Sequence, residues 1–329
     1  MDMQVSVKIV NNKAWVKLLK GFEERSIYHL LLDEWYKCNL INGKIYYFVY
    51  ESPSLTVGIP LIKQNNPIFP AVYSSAPLVH WLGFSFSTHI SDDVRRMDLL
   101  TSIGRDLKNR FLYLRIVNPL YLSDIRPFLW LGFKCHVNYE YVFEGLDELP
   151  KRSQKYTKSL RWSLRYAEKM GVTVRKVPID SNLKKWLFDH KEELSRGKQR
   201  YEISNLTKVY NLLERLEDLN VLRVYASKSP DGQIASVEIF LIDRKTGEAY
   251  RFLAFVSEVG RKAQAGPYTL DRAIEQLLDE DFNTIHLMGG NVKELSHFLS
   301  QFRPQLRSYY TIVVSKITLL SFLFNFSLI

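Results

Sequence analysis

Apolar positions recur along this chain with two periods, one near 3.6 residues and one of 2, and the two alternate often enough to predict an α/β protein. Residues 12–22 and 27–36 predict helices. Residues 44–51 and 54–63 predict strands joined at Ser52-Pro53. Pro67 and Pro70 mark a loop, and residues 71–73 a short strand. A long helix is predicted over residues 92–109: Asp92 can cap it, and Val94, Met97, Leu100, Ile103 and Leu107 form one stripe. Residues 112–116 predict a buried strand, 123–131 a short helix closed by Gly132, and 134–143 another strand.

The pattern changes at residues 151–176. Lys151, Lys155, Lys158, Arg161, Arg165 and Lys169 recur every three or four positions, while Tyr156, Leu160, Leu164 and Ala167 take the opposite side. At about 100° per residue this predicts one amphipathic helix with a cationic face, ended at Met170-Gly171. Residues 172–177 then predict a strand, 183–196 a helix, 197–201 a polar segment and 206–219 a second helix. Three strands follow, 221–227, 234–242 and 248–256, joined around Pro230-Asp231-Gly232 and Thr246-Gly247. The chain continues as helix 268–279, strand 284–288, helix 292–302 and strand 309–314.

Composition adds two constraints. At 329 residues with 46% hydrophobic and 24% charged residues, the chain is globular and comfortable as two domains. The boundary falls near residues 145–150, giving lobes of 1–149 and 150–316 and an apolar segment of 317–329. Two well-separated cysteines, Cys38 and Cys135, argue against a disulfide framework and against zinc, and suit a reducing cytosol. The amino-terminal residues carry no apolar h-region, so no signal peptide is expected. Residues 317–329 are mostly apolar. As a helix they would span about 20 Å, short of the roughly 30 Å hydrocarbon core. They fit a helix docked on the core, a peripheral membrane contact or a partner surface.

Charge is local. Residues 151–176 hold nine basic residues and one acid, a net of +8, against +10 for the whole chain. Such a cluster suits an anionic ligand; the alternative is a solvated helix face. Trp162 projects to the same side, where it could stack on a sugar or base. The loop before the helix at residue 268 holds Gly260, Arg261, Lys262, Ala265, Gly266 and Pro267. Free N–H groups at a helix start make an anion site there; an ordinary Gly-Pro helix entry is the other reading. Glu238 sits in the middle of an apolar strand, so it faces a cleft, pairs with Arg251 or meets solvent. Tyr250 and Tyr268 fit either cleft lining or packing. His80, His89, His136 and His286 show no spacing for a metal or a Ser/His/Asp triad, and P-loop, HExxH and GxSxG motifs are absent.

The element order of the second half is that of a GNAT-type acyltransferase domain, and several segments resemble the Fem-type, BioF-associated branch of that superfamily. KSLRWSLRYAEKMGVTV from Lys158 to Val174 is similar to the branch's helix "K..R..I..A.K.GV.V". Gly266 to Leu270 resembles its donor-loop helix entry, Ile285 to Asn291 its "HLGGG" strand end, and Phe298 to Phe302 its "FK..F" helix. In the first half, Ile27 to Trp35 and Gly58 to Leu61 resemble the first GNAT-like lobe. The resemblance covers residues 10–315. It departs at Leu299, where the branch has lysine, and at Met288, where it has glycine; the long coiled-coil insertion of some tRNA-using members is missing.

The resemblance implies two tandem GNAT-like lobes, each a mostly antiparallel mixed sheet flanked by helices. It implies transfer of an acyl group from acyl-CoA or a related activated donor to an amine, without a metal. Arg261, Lys262, Ala265, Gly266, Gly289, Gly290 and Asn291 would then hold the donor. Lys155, Lys158, Arg161, Trp162 and Arg165 would hold a phosphate-bearing or glycan/peptide acceptor, and Glu238, Tyr250 and Tyr268 would serve the chemistry. Two alternatives stay open: an aminoacyl-tRNA-dependent transferase acting on a peptidoglycan-like precursor, and a non-catalytic protein whose basic helix binds RNA. A third is a scaffold at a membrane surface. Expected partners are therefore an anionic acceptor and, on the second reading, tRNA; the expected location is the cytoplasm.

Overall fold

A computed structural model describes residues 5–53, 55–65, 71–76, 78–89, 93–145, 152–190 and 206–316. Asp92, Pro67, Pro70, Lys151, the polar segment 197–201 and the apolar run 317–329 lie outside the described residues. The chain divides into two compact units. One is Tyr139–Arg307, and the described residues before and after it form the other.

The first unit contains β1 (Ser6–Val10), α1 (Asn12–Leu19), α2 (Ile27–Lys37), β2 (Gly43–Glu51), β3 (Thr56–Gln64), β4 (Ala71–Ser74), β5 (Ser85–Phe86), α3 (Asp93–Arg110), β6 (Tyr113–Val117) and α4 (Arg126–Trp130). β1, β2, β3 and β4 pair antiparallel in sequence, and β4 pairs parallel with β6. One sheet face buries Val57, Ile59, Leu61, Leu114 and Ile116 against Leu99, Leu100, Ile103 and Leu107 of α3. Leu100, Ile103 and Leu107 of the stripe read from the sequence are thus on the buried face of α3, while Met97 is partly buried and Val94 exposed.

The division passes through β7 (Lys134–Glu144) and β13 (Gln305–Ser315) rather than through the loop near residue 145. Register explains it. Tyr141 to Glu144 pair with the second unit's strand at Thr284–Met288, whereas Thr311 to Ser315 pair antiparallel with β6 of the first unit.

The second unit continues with α5 (Arg152–Lys155), α6 (Lys158–Lys169), β8 (Thr173–Lys176), α7 (Ser181–Asp189), α8 (Leu206–Asp218), β9 (Leu222–Lys228), β10 (Ile234–Asp243), β11 (Glu248–Val256), α9 (Glu258–Lys262), α10 (Ala265–Asp279), β12 (Thr284–Met288) and α11 (Lys293–Ser300). Its strands run β7-β12-β11-β10-β9-β8. All neighbours are antiparallel except β11 and β12. Phe240, Ile242, Ala249, Ile285 and Leu287 make one sheet face, packed against Leu160 of α6, Leu270, Ala273, Ile274 and Leu277 of α10 and Leu299 of α11.

The expected single basic helix is two. Thr157 is extended (φ −61°, ψ 156°), and its side chain accepts the N–H of Leu160, so it caps a new helix. A threonine hydroxyl competing for the backbone breaks what charge periodicity alone would continue. Lys155 therefore sits on a different helix from Lys158, Arg161 and Arg165. The helix end is as expected, with Met170 as C-cap and Gly171 at φ +72°.

Candidate active site

The parallel pair of β11 and β12 holds only over Glu248–Thr284, Ala249–Ile285 and Tyr250–His286. Beyond that rung β11 runs on to Val256 with no strand partner on that side. A bulge falls at the same place: Phe240 faces Arg251 and Ile239 faces Leu253, which leaves Phe252 extra. A split between parallel strands beside a bulge bends the sheet and frees backbone polar groups on the split edge.

Two buried acids, one partly buried acid and a histidine tie this region together. His286 Nδ1 lies 3.1 Å from Glu140 Oε1 on β7, and its Nε2 lies 3.8 Å from Glu248 Oε1 on β11. Glu248 also accepts the hydroxyls of Tyr250 and Thr246. Burial works against a charged imidazole, but Glu140 and Glu248 outweigh it and hold His286 up at about 9. Burial likewise pushes Glu140 up, opposed by His286. In Glu248 the bonds from His286, Tyr250 and Thr246 outweigh burial and hold the carboxyl below its ordinary range.

The third acid is Glu238, 1% exposed on β10. Arg251 donates to both its oxygens, Nε to Oε2 at 2.7 Å and Nη2 to Oε1 at 2.9 Å. Of the three sequence readings for Glu238, the structure has the Arg251 pair. Burial pushes this carboxyl up, and Arg251 works against the shift. Tyr250 is buried with its hydroxyl on Glu248, so it packs inside the network rather than lining open space. Tyr268 is partly buried beside Ala263 and Ala265, with Arg272 over its ring at 5.3 Å; burial raises its phenol.

The donor-loop candidates separate. Arg261 and Lys262 lie on α9, where Arg261 donates to Val256 O at 3.0 Å and Lys262 pairs with Glu258 at 3.0 Å. Gly260 serves close packing, since a Cβ there would meet the carbonyl oxygen of Ala235 at 2.0 Å. α10 begins at Ala265, not Tyr268, entered through Gln264 in the left-handed region (φ +56°). Gly266 is therefore helical and buried, its α-carbon facing Val256 at the end of β11; a Cβ would lie 3.0 Å from Val256 Cγ2. Gln264 makes no side-chain cap, so the first turn of α10 keeps uncapped donors that favour an anion, one fewer for Pro267, which has no N–H.

Gly289, Gly290 and Asn291 belong to the turn from β12 into α11. A Cβ on Gly290 would meet Tyr139 O at 2.4 Å, and Asn291 Oδ1 accepts the Tyr139 N–H at 2.9 Å. These residues seat the turn on β7, where the sequence reading had them holding a donor.

α6 presents the cations as expected. Lys158, Arg165 and Lys169 are exposed and have no carboxylate partner among the described residues. Arg161 is partly buried and donates to Tyr156 O at 2.7 Å. Trp162, 56% exposed, stacks on Tyr166 with centroids 5.1 Å apart and planes 16° from parallel. Arg152 behaves differently: it is buried and contacts Asp271 at 3.3 Å, where Tyr156 also donates at 2.8 Å. Those two contacts fix α5 and Tyr156 on α10, and hydrophobic contacts set α6 beside it.

Sequence reasoning missed Glu140, Glu248 and His286 as a group. His286 interrupts an apolar strand, but Glu140 lies in the mixed strand β7 and Glu248 opens β11 straight after a turn, so no shared signal marks the three. Their meeting depends on the order β7-β12-β11, which no local pattern carries.

Residues 154–294 match the family model described as Acetyltransferase (GNAT) domain. The second unit carries a GNAT acyltransferase domain. The chain's fold is also that of solved Fem-like and tandem GNAT structures. A crystal structure of FemX superposes at TM-score 0.68 with 10% identity, covering 98% of this chain and 99% of that one. A tandem GNAT protein from the clavulanic acid biosynthesis pathway gives 0.55 at 9% identity over 95% and 99%. The C-terminal domain of a putative lysylphosphatidylglycerol synthetase from Agrobacterium fabrum gives 0.56 at 13% over 96% of both chains. A search of curated proteins found no match to the sequence. The tandem architecture expected from the sequence is thus the observed one. In the GNAT domain, the split of β11 from β12 and the start of α10 lie on one path along β11. Among the described residues no group of three or more His, Cys, Asp or Glu could hold a metal ion, and no helix is long and apolar enough to cross a membrane.

Proposed function

We propose that the protein is an N-acyltransferase that moves an acyl group from acyl-CoA or a related activated donor to the amine of a phosphate-bearing acceptor. The observation that carries the reading is the cationic face of α6, whose Lys158, Arg165 and Lys169 have no carboxylate partner among the described residues. Phosphate is the anion such a face holds most strongly when several cations converge.

The donor's phosphates would meet the uncapped first turn of α10, and its acyl group would lie along β11 toward the split. The neutral amine attacks the acyl carbonyl carbon. A C–N bond forms, and the carbonyl electron pair moves to oxygen, where backbone N–H groups of the unpaired β11 edge can receive it. The pair then returns, and the C–S bond of a thioester, or the C–O bond of an ester, breaks. The amine's proton passes to water, because both oxygens of Glu238 are occupied by Arg251. The leaving thiolate or alkoxide takes a proton from water in turn. Holding amine and carbonyl together supplies most of the rate on this account.

A second reading, aminoacyl-tRNA as donor, is favoured by one observation. Exposed Trp162 stacks on partly buried Tyr166 beside the cations, and such a platform suits a nucleobase next to a phosphate backbone. Both readings are tested by incubating the full chain with a panel of acyl-CoAs and aminoacyl-tRNAs and with amine acceptors that carry or lack phosphate. Mass spectrometry of the products should show an amide on a phosphate-bearing acceptor. Transfer only from aminoacyl-tRNA would select the second reading. No amide from any donor would end both.

A further inference from the structure

The first unit holds a cation that the acyl chemistry does not use. Arg115 lies at the centre of β6, facing Tyr73 of β4 on one side and Val313 of β13 on the other. Leu114 and Ile116 point into the α3 core, so Arg115 and Tyr113 share the reverse face of the sheet. Tyr73 and Tyr113 are buried there with ring centroids 5.7 Å apart, packed with Val313. Tyr309, edge-on to Trp81 at 5.9 Å, completes the surround. The guanidinium's one recorded hydrogen bond runs from Nη1 to Ser75 Oγ at a long 3.4 Å, and no carboxylate pairs with it among the described residues. Arg115 is only partly buried, as are Ser75 and Tyr309, so the group is reachable.

A strand-centred arginine surrounded by aromatic rings is costly unless something negative meets it. Burial draws its pKa below the ordinary arginine range, and only phenols stand near enough to oppose that. Those phenols stay protonated at neutral pH: burial pushes Tyr73 up to about 12 and raises Tyr113 as well. They can supply neutral O–H groups but no counter-charge. The guanidinium fork matches an oxygen anion that can accept two parallel N–H bonds.

We propose that Arg115 anchors an oxyanion pocket of the first unit, lined by Tyr73, Tyr113, Tyr309 and Ser75, which takes a carboxylate or phosphate group. The proposal does not depend on the acyl-transfer reading.

The test uses the full chain with two probes, inorganic pyrophosphate and succinate, read by thermal midpoint and by titration calorimetry. At saturation a probe should raise the midpoint by roughly 2 °C or more. The response to one probe over the other tells phosphate from carboxylate. The rise should persist in Lys158→Glu/Arg165→Glu, which disables α6. It should vanish in Arg115→Gln and weaken at least about tenfold in Arg115→Lys, which keeps the charge without the fork. Without probe, Arg115→Gln should melt at or above the wild-type midpoint, because an uncompensated charge is removed. Absence of any rise in the wild type would overturn the proposal. So would a rise that survives Arg115→Gln, a rise lost in the α6 variant, or a lower unliganded midpoint for Arg115→Gln with Arg115→Lys binding as wild type.

Discussion

Tyr250 and His286 lie opposite each other on the last paired rung of β11 and β12, their rings stacked with centroids 4.5 Å apart and planes 4° from parallel. One residue further along, the strands part. The stack, Glu140 on β7 and Glu248 on β11 together clamp the three strands at the point where the GNAT domain opens.

That clamp has a pH signature. The folded His286 holds its proton to about 9, above the ordinary 6.5. Its contribution to stability is thus fully present below about pH 6.5 and is lost as pH rises through about 9. Unfolding midpoints of the wild type should fall across that window. His286→Gln should be less stable at pH 6, where it leaves Glu140 buried without its partner, and should lack the slope. The titratable groups facing His286 are Glu140 and Glu248, with Glu144 acting on Glu140. Parallel curves for wild type and variant would show that the histidine carries no charge in the fold.

Glu238 should matter first for stability. Glu238→Gln leaves Arg251, 9% exposed, with no full counter-charge and should cost roughly 3–5 kcal/mol in urea unfolding. Replacing both residues with methionine should recover most of that, since two apolar side chains need no partner. A Glu238→Gln variant within about 0.5 kcal/mol of the wild type would mean that the ion pair does not hold the sheet.

Two glycines near the donor path should rank by what a methyl group meets. Gly260→Ala drives a Cβ into a backbone oxygen at 2.0 Å, which cannot move without displacing β10. Gly266→Ala meets one valine methyl at 3.0 Å, which can shift. The first should lower the thermal midpoint strongly. The second should cost about 1–3 kcal/mol, as overpacking does, and Gly266→Val more. Equal midpoints for Gly260→Ala and wild type would contradict the close approach of α9 to β10.

Several of these relationships were legible in the sequence and others were not, for physical reasons. The cationic and apolar faces of α6, the α3 stripe from Leu100 on and the two meander turns are local patterns, and they stand as read. The break at Thr157 was not, because charge period and capping propensity conflict there and the hydroxyl prevails. Glu238 was conspicuous as an acid in an apolar strand, and Arg251 was already one of its candidate partners. His286 carried no such pointer: its partners come from strands 146 residues before it and 38 residues before it, brought together by register alone. Gly266 looked like a ligand-facing loop glycine because Pro267 suggested a helix entry. The helix starts two residues earlier, which turns the glycine toward β11.

The most direct test of the proposed function is a pair of Michaelis constants measured on Lys158→Glu/Arg165→Glu, once a donor and acceptor are identified. Both side chains are exposed, and Arg161 is left in place because it holds the Tyr156 carbonyl, so the fold should be kept. The account predicts that KM for the phosphate-bearing acceptor rises at least about tenfold, as expected when charge-assisted phosphate contacts are reversed, while KM for the donor stays within about twofold. An unchanged acceptor KM, or a rise confined to the donor, would contradict the assignment of the α6 face to the acceptor.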